Sequence, residues 1–222
     1  MSGEAGYPDE PWDLCGHGYV SLWLVPEWAL PELAPGVRPV TVAGRAVVGT
    51  AFVDYLPGGL LPYHEVLAAV MVRRGARFGL SITDIWVDSP ASRAGGRELW
   101  GIPKELAAFG MAHGRVARAR ASEGDTLLAE AEVRSGPVGL RMPFPVVGTA
   151  MQTLRGALAR TPIRARGRLS LAKSAWRFGG RLGWLNFGRP LGGIAVRDFE
   201  MRFGPRHQRV PPSGACVPPS GA

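Results

Sequence analysis

The chain has 222 residues, 46% of them hydrophobic, enough for one domain with a substantial core and too many for a disordered polypeptide. The clean apolar run at residues 66–72 is far too short to span a bilayer, and acidic residues 1–13 lack the basic segment and apolar run of a secretory signal, so a cytoplasmic protein with no membrane partner is expected. A net charge of +8 raises nucleic acid as a partner, a point the arginine pattern has to decide.

In chain order, residues 18–25 read as a first strand, and residues 26–35 as a proline-bracketed segment with a turn or two of helix at 27–33. Residues 37–42 form a short strand or connection. Residues 46–55, 63–73 and 78–87 are strands, separated by turns at Pro57-Gly58-Gly59 and Arg74-Gly75-Ala76. Ser89-Pro90 starts a short helix, with Asp88 beside it, and Gly95-Gly96 is expected to stop it. Gly101 permits backbone angles closed to other residues, Pro103 fixes φ, and Ile102 before it is pushed to an extended conformation. Lys104 therefore leaves a rigid turn into another strand.

Residues 106–111 and 114–121 pair across a turn, and Ser122-Glu123-Gly124-Asp125 makes a hairpin into 126–135. Residues 137–145 hold three prolines and read as an irregular or edge segment. Over 146–158, Val147, Met151, Leu154 and Leu158 have helical spacing. Alternation returns at 164–176, 181–193 reads as a Gly-rich loop, and 194–203 is a final strand. Residues 205–222 carry Pro-Pro-Ser-Gly-Ala twice and read as a disordered tail. The expected division is a terminal segment at 1–14, one domain at 15–204 and the tail. The expected fold class is mainly β (α+β): an antiparallel curved sheet or closed barrel or cone with one or two short helices.

Cys15 and Cys216 show no metal-ligand spacing and read as reduced thiols, so neither metal nor cofactor is expected. The arginine groups Arg115/Arg118/Arg120 and Arg164/Arg166/Arg168 step at period two over their last members, which places those charges on outer faces of a sheet. They lack interleaved aromatics, so nucleic acid is not the expected partner.

Against 24 arginines the chain has two lysines, Lys104 and Lys173. In such a chain, a lysine points to something arginine cannot do, which is to lose its proton and attack a carbonyl. Gly96-Arg97-Glu98-Leu99-Trp100-Gly101-Ile102-Pro103-Lys104 resembles the acetoacetate decarboxylase family, whose members carry Gly-Arg-Glu, two or three residues, then Pro-Lys. A second match is Leu61-Pro62-Tyr63-His64-Glu65-Val66, and a looser similarity runs from about residue 19 to 203.

The resemblance implies a β-rich barrel or cone, strand rather than helix at 146–158, and homo-oligomers. It implies that Lys104 forms a Schiff base with a small oxo acid and that Glu65 moves protons. Family decarboxylases follow the lysine with a second one, a cation that activates it, and here that position is Glu105. A glutamate close to Lys104 favours the ammonium form unless it points away or burial outweighs it. Where the family has an arginine near the first strand, the alignment reaches His17, and where it has a further glutamate, Thr50.

Candidate substrate-binding residues are Arg97, His17, Tyr63 and Trp100. Arg97 and Glu98 also suit a structural ion pair holding the turn, the two aromatics suit the core, and His17 suits a structural role. His64, next to Glu65 on a strand, is expected to face away from it. The expected function is a Schiff-base lyase decarboxylating a 3-oxo acid such as acetoacetate. The alternatives are an aldolase or dehydratase using pyruvate and an aldehyde, and a non-catalytic binding protein of the same fold.

Overall fold

The computed structural model describes residues 6–136 and 139–206. Among them are fourteen strands: β1 (Trp12–Pro26), β2 (Arg38–Pro39), β3 (Thr41–Val42), β4 (Arg45–Tyr55), β5 (Tyr63–Arg74), β6 (Arg77–Val87), β7 (Lys104–Leu106), β8 (Ala108–Ala112), β9 (Val116–Glu123), β10 (Thr126–Ser135), β11 (Leu140–Arg141), β12 (Val146–Leu154), β13 (Ala157–Phe178) and β14 (Arg189–Phe203). One α-helix, α1 (Pro90–Trp100), and 3-10 segments at Glu27–Ala29 and Gly180–Phe187 complete the described elements.

Seven strands close on themselves in the order β6-β5-β4-β1-β14-β13-β12, and β12 returns to β6 through a parallel bridge between Ala150 and Leu80. Every other contact in this ring is antiparallel. Closure removes the exposed edges that an open sheet must protect. At 22 residues, β13 is longer than the ring needs. Its first part pairs with β12, and its last part, Ala172 to Phe178, pairs with β10 and so leads through β9 to β8. This second layer folds back over the outside of the barrel.

The strands between the layers bury both faces. Ala51, Val53 and Tyr55 of β4 face a core inside the barrel, with Trp12, Ile85, Trp100, Ile102 and Phe203. Val48 and Phe52 face an outer core with Val66, Trp86, Leu128 and Val133. The family-like mainly β architecture is thus present as a barrel wrapped by an extra layer.

Four boundaries differ from expectation. β1 begins at Trp12, because Trp12 and Leu14 continue the inward alternation. β14 begins at Arg189, after a 3-10 segment in place of a loop. Residues 146–154 are strand, and Arg155 and Gly156, both at positive φ, turn β12 into β13. Helix α1 runs through Gly95 and Gly96 to Trp100. These two glycines are contact points rather than a stop: a Cβ on Gly95 would lie 2.5 Å from Trp12, and one on Gly96 2.7 Å from the Lys104 stem. Ser89 caps the helix start by accepting from Ser92 N–H, with Pro90 in the first turn as expected. Gly101, at φ 69°, ends it, and the Gly101 and Ile102 N–H groups bond to the Arg97 and Gly96 carbonyls.

Arg118 and Arg166 lie exposed on outer faces and pair with Glu132 and Glu200. Cys15 is a half-buried free thiol. Cys216 and residues 207–222 of the expected tail lie outside the described residues. No described helix is long and apolar enough to cross a membrane.

Candidate active site

Lys104 begins β7, which pairs in parallel with β6 so that Lys104 lies beside Ile85. The rigid turn before it sends its side chain across α1, where Ser92 and Gly96 stand one helical turn apart. The lysine stem crosses Gly96, and Nζ donates to Ser92 Oγ at 2.8 Å, Glu65 Oε2 at 2.9 Å and Tyr63 Oη at 3.3 Å. These three acceptors match the three protons of an ammonium. Tyr55 Oη donates to the other Glu65 oxygen at 3.2 Å. Lys104 and Glu65 are only 4% and 3% exposed.

Burial pushes the Lys104 pKa down, but the Glu65 carboxylate and then Tyr63 outweigh it, and the net direction is up. The carboxylate that favours the ammonium form is thus Glu65 and not Glu105. Burial, opposed by Lys104 and reinforced by Glu65, pushes Tyr63 up to about 12. Burial and then Glu65 push Tyr55 well above the usual range, so both hydroxyls stay protonated.

This group opens on a cavity of about 130 Å³ inside the barrel, lined by Trp12, Leu14, Tyr55, Tyr63, Glu65, Leu67, Ala69, Leu80, Ile82, Ile85, Trp100, Ile102, Lys104, Ile163, Met201 and Phe203. Among the described residues, Lys104 and Glu65 are the only charged side chains in its wall.

Tyr63 and Trp100 line this cavity, and Arg97 and His17 do not. Arg97 donates through Nε to the Lys104 carbonyl at 2.6 Å and pairs with Glu105. The expected Arg97–Glu98 pair is replaced by these contacts, and Glu98 accepts from Tyr7 Oη instead. Held by Arg97 and Arg93, Glu105 points away from the lysine. His17 sits opposite Asp54 across β1 and β4, while its neighbour Gly16 sits opposite Tyr55. Directly opposed residues share a face, so His17 lies on the outer side, edge-on to His113 and accepting Asp198 N–H at Nδ1. Burial and then Arg197 lower its pKa.

His64 also faces outward, between Asp88 and Asp54. His113 joins Asp54 at 2.6 Å and Tyr19 at 2.8 Å on the same side. Sequence reasoning missed Ser92 and Tyr55. Spacing from Gly96 and Trp100 along one helix stripe, and the position facing Tyr63 across the β4–β5 connection, were the available signals.

A model of the acetoacetate decarboxylase family matches residues 16–143, more than half of the chain. The chain belongs to the acetoacetate decarboxylase family. Solved structures carry the same fold. The acetoacetate decarboxylase of Legionella pneumophila subsp. pneumophila str. Philadelphia 1 is 16% identical with a TM-score of 0.65, covering 89% of this chain and 86% of its own. An acetoacetate decarboxylase-like enzyme from Sphingomonas wittichii RW1 is 15% identical with a TM-score of 0.66, covering 90% and 93%. The enduracididine biosynthesis enzyme MppR, complexed with pyruvate, is 17% identical with a TM-score of 0.64, covering 89% and 90%. No curated protein matches the chain in sequence.

Proposed function

We propose that this family member is a lysine Schiff-base lyase that decarboxylates a 3-oxo acid. The observation that carries the reading is a buried lysine in direct contact with one carboxylate, at the mouth of a cavity with otherwise uncharged walls. Apolar groups replace buried ion pairs at little cost to stability, so chemistry is the better account of this pair.

In the resting site Lys104 is the ammonium and Glu65 the carboxylate. One proton shift across the 2.9 Å contact gives neutral amine and carboxylic acid without exchange with solvent. The amine adds to the ketone carbon, and Glu65 returns the proton as water leaves, giving an iminium on Lys104. The electrons of the bond to the carboxylate flow into that iminium, carbon dioxide departs, and an enamine remains. Glu65, left as the carboxylate, takes up one proton from solvent and delivers it to the enamine carbon, which regenerates the iminium, and water then releases the ketone and the lysine ammonium. The net reaction is 3-oxo carboxylate plus a proton to ketone plus carbon dioxide.

The aldol alternative keeps its pyruvate carboxylate throughout. In this cavity that carboxylate would face Glu65 with no cation but the iminium itself, whereas decarboxylation removes the charge. Glu105, turned toward Arg97, does not oppose deprotonation of Lys104. The test is intact-mass spectrometry after incubation with acetoacetate or pyruvate and borohydride, beside carbon dioxide release. An acetoacetate adduct absent from Lys104→Ala, with gas evolved, supports the reading. A pyruvate adduct without gas favours the aldolase. No adduct with any oxo acid at raised pH leaves the binding protein.

A further inference from the structure

Read with unbroken period two, β6 would turn Ile85, Thr83 and Ser81 toward the cavity. It does not. Ala68 pairs with Asp84 but Ala69 pairs with Ile82, so Thr83 is an extra residue, a bulge. Beyond it the inward positions are Ile82 and Leu80. Ser81 faces Gln152 instead, and the Thr83 hydroxyl turns to the Ala68 carbonyl.

The bulge thus exchanges two hydroxyls for two branched alkyl groups in the wall. On β5 the same face carries Glu65, Leu67 and Ala69, and Glu65 to Ala69 spans about 13 Å of strand at roughly 3.3 Å per residue. Ile163 and Met201 belong to the same cavity wall. The cavity therefore has one polar end, at Lys104, Glu65, Tyr55 and Tyr63, and a long apolar end.

From this shape we infer that the substrate is a 3-oxo acid with an alkyl chain beyond the ketone carbon, laid along β5 from Glu65 toward Ala69. The inference rests on the Schiff-base reading above. A short acid such as acetoacetate leaves the far end unfilled, and each methylene placed there adds about fourfold to affinity.

The test compares acetoacetate, 3-oxopentanoate and 3-oxohexanoate by carbon dioxide release and by borohydride-trapped mass on the intact chain. From the first acid to the third, kcat/KM rises about fifteenfold, mostly as a fall in KM. Ala69→Phe, which fills the far end, collapses the ratio of third to first. Ile82→Ser, which restores a hydroxyl to the wall, lowers it and serves as the second variant if Ala69→Phe does not fold. Acetoacetate equal to or better than 3-oxohexanoate, with an adduct formed, overturns the chain-length inference and leaves the Schiff-base reading standing. No adduct and no gas from any of the three overturns both.

Discussion

On the inner face of β4 and β5, Tyr63 and Glu65 meet one lysine, and Tyr55 donates to Glu65, in an otherwise apolar cavity. On the outer face Asp54 and His64, one residue away in each strand, meet His113 and Asp88 in a chain of polar contacts that ends at Tyr19. The backbone is shared, but the inner groups are buried while His64, Asp88 and His113 keep part of their surface in solvent. The company differs too: among the described residues, the inner cation and anion share their cavity wall with no other charge. The outer groups have several partners each, and His64 and Asp88 are about one-third exposed. Burial and isolation together set the inner pair apart, and on the proposed reading they are what makes its shared proton available for chemistry.

The sharpest break of this comparison is Lys104→Ala, expected to lose the trapped adduct and turnover to the detection limit. Next is Glu65→Gln, expected to lower turnover by about 10²–10⁴-fold while removing the group that holds Lys104 charged. Burial is then opposed by Tyr63 alone, so the Lys104 pKa should fall relative to the wild type, and the dependence of trapping yield on pH should shift to lower pH.

Stability sharpens the contrast. Lys104→Met alone strands Glu65 and should cost about 3–5 kcal/mol in denaturant unfolding, while Lys104→Met with Glu65→Leu should restore that or gain about 1–4 kcal/mol. The folded chain holds the Lys104 proton more tightly than the unfolded one, so the wild-type pair contributes at neutral pH. That contribution is lost as pH rises through the folded value, and the double variant should lack this loss. Gly96→Ala forces a methyl against the lysine stem and should cost about 1–3 kcal/mol, with reduced adduct yield. On the outer face, Asp54→Asn should cost about 1–3 kcal/mol and leave the adduct in place, since it disturbs His113 and His64 but no cavity residue.

Much of the barrel was readable because strands alternate and turns advertise themselves. The Ser89 cap, the Gly101 exit and the outward His64 followed from local stereochemistry. Lys104 stood out by its rarity among arginines. The failures share a cause: a partner distant in sequence. Gly95 and Gly96 looked like a helix stop because Trp12 and the Lys104 stem, which require them, are invisible locally. Arg97 looked like a substrate-binding residue or a partner of Glu98, but Glu105 claims it. His17 was misplaced by one residue of register, which on a strand means the opposite face. The bulge at Thr83 has no local signature, yet it decides which half of β6 lines the cavity.

Because β1 is locked between β4 and β14, with Trp12 opposite Phe203, the first long strand waits for the last one made. During synthesis Glu65, Ser92 and Lys104 emerge well before Ile163, Met201 and Phe203, the far wall of their cavity. A nascent chain lacking β14 would therefore leave the Lys104 cavity without its Met201 and Phe203 wall. The buried lysine site is therefore completed late and at once, when the ring shuts, and this long-range closure predicts slow, cooperative folding.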